Sequence, residues 1–189
     1  WLGSIQSISP KKGYWVNNSI ETNLSVDFTG CRGNPASESI EYCLHSYANL
    51  ISYPGYNIAP IEEVLPEAFE TIVGGIIGEG VATLYLDGTG WQGSLVNFEQ
   101  GKGYWFLSSS NEEQCFEFNS DDNLARNEII TQSIERHPIG YKYNQSSIQS
   151  FYFIKNIDGI TAEDWIIAYN DGIVVGARLW NGQITDIPV

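Results

Sequence analysis

The residue types best suited to chemistry are a cysteine–histidine pair and several carboxylates. Cys43 and His45 stand two positions apart, which puts both side chains on one face of a strand, as a thiol nucleophile and its base would require. Nothing downstream offers a residue to orient the histidine, and an oxidised cysteine cannot attack a substrate. Carboxylate pairs could hydrolyse glycosides at a suitable separation, but so acidic a chain places such pairs together by chance. We therefore expect no catalytic residue and no enzymatic activity.

Two acidic groups carry the hard oxygen ligands that calcium prefers. They are Asp121 with Asp122, and Asp158 with Asp164. Neither group follows the spacing of the EF-hand loop, and solvated loop acids are the alternative interpretation. A structural calcium ion at one of these groups is the only cofactor that the sequence indicates.

The three cysteines show no paired spacing typical of a zinc site. In an oxidising compartment we expect Cys31 and Cys43 to form a disulfide around the turn at Asn34-Pro35. Cys115 is then either a buried thiol in a strand or an alternative partner for Cys43.

Aromatic residues are abundant, with six Trp and 11 Tyr in the chain. Such side chains stack on sugar rings and anchor protein interfaces. Trp15 and Trp105 occupy matched positions of an internal repeat, which favours core packing for both. Trp165, Tyr169 and Trp180 lie outside the repeat, so we expect a ligand-binding surface among these three.

The charge balance limits the partners of the chain. Nine Lys and Arg against 23 Asp and Glu give a formal net charge of -14, which repels DNA, RNA and anionic bilayers. We expect instead a surface polysaccharide, another surface protein or a second copy of this chain. The chain has no apolar run long enough to span a bilayer, so we expect no direct membrane insertion. The absence of Met, with Trp1 opening inside a motif, indicates a piece of a larger protein.

An internal repeat dominates residues 1–120. Residues 1–28 align without gaps on residues 91–118, and the identical positions include Lys-Gly-Tyr-Trp at 12–15 and 102–105. In each copy the Gly suits a tight turn, and the aromatic and β-branched residues around it suit a pleated strand. The sequence therefore predicts a duplicated antiparallel meander whose two copies share one core.

One helix is predicted between the two copies, over residues 61–76. Apolar residues recur there at i, i+3, i+4 and i+7, while Pro66 indicates a kink or a late start.

The chain changes character after the repeat domain. Residues 121–130 are polar and form the expected linker to a C-terminal β module over 131–189, which we expect to be incomplete. Asp171-Gly172 and Asn181-Gly182 predict two hairpin turns of type I′ in this module. The predicted fold is mainly β with one or two helices, a duplicated meander followed by a β-sandwich-like module.

Two segments resemble modules of secreted, multi-module cell-surface proteins, including cargo of type IX secretion. The first comprises NLISYPGY, IVGGIIGEG, WQGSL and GKGYWF, and the second comprises FYFIKNIDG and EDWIIAYNDGIVVGARLW. The resemblance implies export and surface display, and it brings no catalytic residues with it. We therefore expect a non-catalytic structural or adhesive module that is secreted or held at the cell surface. A carbohydrate-binding module attached to a secreted enzyme is the alternative.

Overall fold

The computed structural model describes residues 7–9, 11–16, 40–55, 57–119, 137–144 and 148–189. Within these ranges the chain forms thirteen strands and two one-turn helices, which confirms a mainly β fold with few helices. The helices are α1 (Ile61–Val64) and α2 (Glu67–Glu70), and neither is long and apolar enough to cross a membrane. The predicted linker at 121–130 lies outside the described residues.

All pairs of strands in the described part of the chain are antiparallel. In chain order the strands are β1 (Glu41–Leu44), β2 (Tyr47–Ser52), β3 (Ala59–Pro60), β4 (Val73–Gly78), β5 (Val81–Leu86), β6 (Gly90–Gly93), β7 (Asn97–Phe98), β8 (Gly103–Ser108), β9 (Gln114–Glu117), β10 (Phe151–Ile154), β11 (Trp165–Asn170), β12 (Ile173–Leu179) and β13 (Thr185–Pro188). Five of these strands form one sheet in the order β2, β8, β4, β5, β6, and the others form the pairs β1–β9, β3–β7, β10–β13 and β11–β12.

The predicted helix over residues 61–76 was too long. Helical structure stops at Val64, and Leu65 is extended with ψ at 126° because a residue that precedes a proline avoids the helical region. A second turn follows Pro66 and ends at Glu70. Residues Val73–Gly78 then pair with β5 and β8 as a strand. The apolar spacing suited a helix, but the glycines and the Ile-Ile pair of this segment join the sheet.

The main core lies within the repeat domain, and aromatic rings fill its centre. Phe98 and Phe106 are fully buried and stacked, with ring centroids 5.8 Å apart. Burial of each such side chain stabilises the fold by about 1.5 to 3 kcal/mol. The buried residues of this core are Tyr42, Leu44, Ile51, Tyr53, Ala59, Ile61, Val64, Leu65, Val73, Ile76, Leu95, Phe98, Tyr104, Phe106 and Phe116.

The tryptophans of the repeat do not occupy this core as expected. Strand alternation turns Tyr104 and Phe106 inward, so Trp105 between them faces the other side of the sheet and is half-buried. In the first copy Trp15 is 46% exposed. In the second copy the core position therefore belongs to Tyr104 rather than to Trp105.

The disulfide joins Cys43 to Cys115, so the expected Cys31–Cys43 pairing is wrong. Cys43 and Cys115 lie directly opposite each other on β1 and β9, a register that sequence spacing alone does not reveal. Cys31 lies outside the described residues. A bond across a sequence separation of 72 residues stabilises the fold by about 4 kcal/mol, chiefly by restricting the unfolded chain.

The described residues of the C-terminal module form two strand pairs, and one of the two predicted hairpins forms. Asp171 and Gly172 both have positive φ, at 48° and 81°, as a type I′ turn between β11 and β12 requires. At the second turn only Gly182 has positive φ, and β13 pairs with β10 instead of β12. The Asn181 Oδ1 atom accepts hydrogen bonds from the Gln183 N–H and the Thr185 hydroxyl, which directs the chain away from β12.

Both copies of the repeat close the same turn with their tyrosine. The Tyr14 hydroxyl oxygen accepts a hydrogen bond from the Ser9 N–H at 2.8 Å, and the Tyr104 hydroxyl oxygen accepts one from the Glu99 N–H at 2.8 Å. The bonds are equivalent because both pairs are related by the repeat offset. Each tyrosine thus ties the segment after the turn to the backbone at its start.

The two turns lie beside each other next to strand β2. Gly103 pairs with Ser52 of β2, and the Gly13 N–H donates to the Leu50 carbonyl oxygen of the same strand. A Cβ atom on Gly103 would lie 3.2 Å from the Cα of Gly13, so the two glycines allow this close approach. Packing of the complete first copy stays a prediction, because residues 1–6 and 17–28 lie outside the described residues.

The Tyr104 turn makes stability sensitive to alkaline pH. Burial raises the pKa of the Tyr104 phenol well above its ordinary value near 10. Between the unfolded and the folded pKa the unfolded state loses this proton first, so the free energy of unfolding falls as pH rises above about 10. We expect the Tyr104 contribution to this fall to be about 1.4 kcal/mol per pH unit, and Tyr104→Phe to remove it.

Urea unfolding at several pH values between 9 and 11 measures this effect, with Tyr152→Phe at an exposed tyrosine as the matched control. Identical pH slopes for wild type and Tyr104→Phe would contradict the role given to the phenol.

Candidate functional site

A buried ion pair lies where the C-terminal module meets the repeat domain. Arg178 on β12 and Asp186 on β13 are both buried, and the Nη2 atom of Arg178 lies 3.0 Å from Oδ2 of Asp186. The Nε atom of Arg178 also donates to the backbone oxygen of Asp186 at 2.9 Å. The backbones of β12 and β13 are not hydrogen-bonded to each other, so the Arg178 side chain joins the two strands.

The ion pair extends into the repeat domain through Ser94 and Gly80. The Ser94 N–H donates to Oδ1 of Asp186 at 2.6 Å, and the Ser94 hydroxyl donates to Oδ2 at 2.9 Å. The Nη2 atom of Arg178 donates to the carbonyl oxygen of Gly80 at 2.6 Å. The Gly80 N–H in turn donates to the side-chain oxygen of Gln149 at 3.2 Å, so the turn between β4 and β5 is bound from both sides.

The bonds among Arg178, Asp186, Ser94 and Gly80 hold the two modules together, and we call this group the clamp. Moving a carboxylate and a guanidinium out of water costs several kcal/mol per ion, and only close contacts with further hydrogen bonds offset that cost. Both carboxylate oxygens of Asp186 accept hydrogen bonds, and Arg178 bonds partners on both sides of the junction. Charge-assisted bonds of this kind have narrow geometric requirements, so they fix the position of one module on the other.

The three aromatic residues expected to bind a ligand do not share one surface. Trp165 is half-buried and Tyr169 is 56% exposed, and both lie on one face of β11 because they are four positions apart in a strand. Trp180 is only 6% exposed and offers no ring face to a ligand in this structure. The exposed aromatic surface of the C-terminal module thus contains Trp165 and Tyr169.

The acids expected to bind calcium have local hydrogen-bond partners. Oδ2 of Asp164 accepts from the N–H and the hydroxyl of Thr161 at 2.8 and 2.7 Å, and these bonds hold the pKa of Asp164 below its ordinary value. Oδ1 of Asp158 lies 3.5 Å from the amide nitrogen of Asn156. Asp121 and Asp122 lie outside the described residues. A calcium ion at either group stays a prediction.

A third group of ligand-type atoms surrounds the disulfide. The side chains of Glu41, Cys43 and Cys115 come together on the exposed face of the β1–β9 pair. The two sulfur atoms are bonded to each other and so are not thiolates, which are the form that binds metals. The same bond removes Cys43 as a nucleophile for His45.

Arg178, Asp186 and Ser94 were not among the site residues predicted from the sequence. A signal was present, because Arg178 is the only charged residue of the strand Ile173–Leu179 and Asp186 is the only one of Thr185–Pro188. Opposite single charges in two apolar strands indicate a buried pair, since an unpaired buried charge is too costly. Ser94 also occupies an identical position in both repeat copies, matching Ser4.

Comparison of the chain with protein-family models, with curated proteins and with solved structures gave no significant match.

Removal of the Asp186 charge should be strongly destabilising. Asp186→Asn leaves the Arg178 guanidinium buried without a counter-charge, and we expect the free energy of unfolding to fall by about 3 to 5 kcal/mol. Asp158→Asn, at an exposed acid of the same module, is the matched control and should change it by less than about 0.5 kcal/mol. Urea titrations followed by tryptophan fluorescence measure both. A similar loss for the two variants would show that the junction does not depend on the ion pair.

Proposed function

We propose that this chain is a non-catalytic structural module of a secreted or cell-surface protein, in which the repeat domain and the C-terminal module act as one rigid unit. Such a unit spaces and displays neighbouring parts of a larger protein. Its adhesive contacts then depend on the exposed surface and not on an enclosed reaction site.

The main support for this proposal is the set of partners that the buried charges at the junction bind. Enzymes usually place charged groups with perturbed pKa values beside a substrate cleft. Here Arg178 and Asp186 bond each other, Ser94 and the Gly80 carbonyl oxygen. Their hydrogen bonds are directed at protein groups on both sides of a contact between modules, which supports a mechanical role.

The disulfide supports an extracellular location. Disulfides persist in oxidising compartments and are rare in the reducing cytosol. The Cys43–Cys115 bond lies on an exposed face of the β1–β9 pair, where soluble reductants would reach it. Its persistence therefore depends on an oxidising environment. The acidic surface, with a net charge of -14, supports solubility outside the cell.

Carbohydrate binding is a second candidate function, and it rests on Trp165 and Tyr169. The two rings lie on one face of β11, as stacking on successive sugar units would require. Ile167 lies between them, however, and Leu179 is the cross-strand partner of Trp165. This face is more aliphatic than a typical sugar platform, so the structural function is the better supported of the two.

Surface exposure of the native protein tests the proposal. Treatment of intact cells of the source organism with a protease should remove the antibody signal for this chain, or the chain should be found in the medium. A cytosolic protein in the same cells is the control and should be cut only after lysis. Thiol trapping before lysis should find Cys43 and Cys115 oxidised. Protection from the protease until lysis, with both thiols reduced, would contradict the proposal.

A further inference from the structure

Within the described residues, strand β11 is paired along one backbone edge only. Among the strands of the described residues β12 alone is hydrogen-bonded to it. The Trp180 N–H donates to the Asp164 carbonyl oxygen at 2.7 Å. Because hydrogen-bonded pairs alternate along an antiparallel ladder, the backbone N–H and C=O groups of Ile166 and Ala168 also point towards β12. The N–H and C=O groups of residues 165, 167 and 169 therefore point away from β12.

This edge lacks the devices that usually prevent strand addition. Soluble proteins protect edge strands with charged side chains, with proline or with bulges on the edge itself. The sequence of Trp165–Asn170 is WIIAYN and contains neither a charge nor a proline. The bulge in this ladder adds its extra residue to β12, since Ala168 pairs with Gly176 and Tyr169 with Val174. No other strand of the described ranges occupies this edge of β11, and nothing in its own sequence blocks a further strand.

The side chains beside the edge form an apolar surface. Trp165 and Ile167 are half-buried, Tyr169 is more than half exposed, and Leu179 across the hairpin is 42% exposed. An added strand would cover part of this surface with alternate side chains, which is how strand addition gains specificity.

Charges at the two ends of β11 disfavour a second copy as the occupant. Glu163 and Asp164 precede the strand and Asp171 follows it, and all three are exposed. Antiparallel self-pairing about Ile167 would place Glu163 opposite Asp171, and parallel pairing in register would place each acid beside its own copy. Like charges in such positions are destabilising, and every copy carries a net charge of -14. A cationic partner would instead meet opposite charges at both ends.

We propose that the edge of β11 binds an extended segment of a partner protein, with alternating apolar residues and Lys or Arg at both ends, as an added strand. The backbone groups of residues 165, 167 and 169 hold the segment, and Glu163, Asp164 and Asp171 select for its charge. This inference rests on the proposed function as a surface module and names the chemistry of its partner.

A synthetic peptide tests the proposal on the unmodified chain. The probe is acetylated and amidated Lys-Val-Thr-Val-Thr-Val-Thr-Lys. Amide hydrogen exchange of the 15N-labelled protein should slow at residues 165, 167 and 169 when the peptide is added, because their N–H groups become bonded. Titration of the same amides gives the affinity.

Two altered peptides and one variant protein separate backbone pairing from charge selection. Methylation of the peptide nitrogens that face β11 removes donors and should weaken binding at least about tenfold. Replacement of both Lys by Glu should weaken it about tenfold at low salt. The protein variant with Glu163→Gln and Asp171→Asn should lose much of its preference for the Lys peptide while keeping the exchange protection.

The following results would overturn the inference. They are absence of binding by the Lys peptide, equal binding of the methylated peptide, or equal binding of the Glu peptide. Binding of a β-1,4-linked glucose hexasaccharide to the Trp165 and Tyr169 face, without peptide binding, would replace it with the carbohydrate function. A failed peptide experiment leaves the surface-exposure experiment unaffected, so the two proposals fail separately.

Discussion

The structure depends on one costly interaction, the burial of Arg178 against Asp186. Two opposite charges leave water together only if nearly every polar atom around them finds a partner. Asp186 finds its partners in Ser94 of the repeat domain, and Arg178 finds one in the carbonyl oxygen of Gly80. A shift of one module by even an ångström or two would break these bonds and leave charge buried, so the pair permits a single arrangement of the two modules.

The repeat domain supplies a stiff surface for this contact. Its strands meet in an aromatic core around Phe98 and Phe106, and the Cys43–Cys115 bond joins β1 to β9 at its edge. Duplication contributes a shared local device, the tyrosine hydroxyl that closes a turn in each copy. The two glycine turns then lie beside each other next to β2. The repeated motif thus acts through backbone geometry and not through a surface of tryptophans.

Local patterns in the sequence predicted local structure. They did not predict which distant segments contact each other. Strand alternation and the Asp171-Gly172 turn were readable because they depend on neighbouring residues. The disulfide partner of Cys43 depends on the register of β1 with β9, which sequence spacing does not fix. Residues 73–76 look helical by period but join the sheet because β8 is beside them. The junction could have been inferred from single charges in apolar strands, although the identity of the partner Ser94 required the fold.

The clamp holds the C-terminal module against the repeat domain. We infer that it makes one cooperative unit of both modules. Native-state hydrogen exchange as a function of denaturant tests it most directly, because each amide reports the free energy of the opening that exposes it. If both modules open together, the amides of Arg178 and Ile187 exchange with the same free energy as that of Phe106 in the repeat core. A markedly lower free energy for the C-terminal amides would show that the module opens alone and that the clamp does not couple it to the repeat domain.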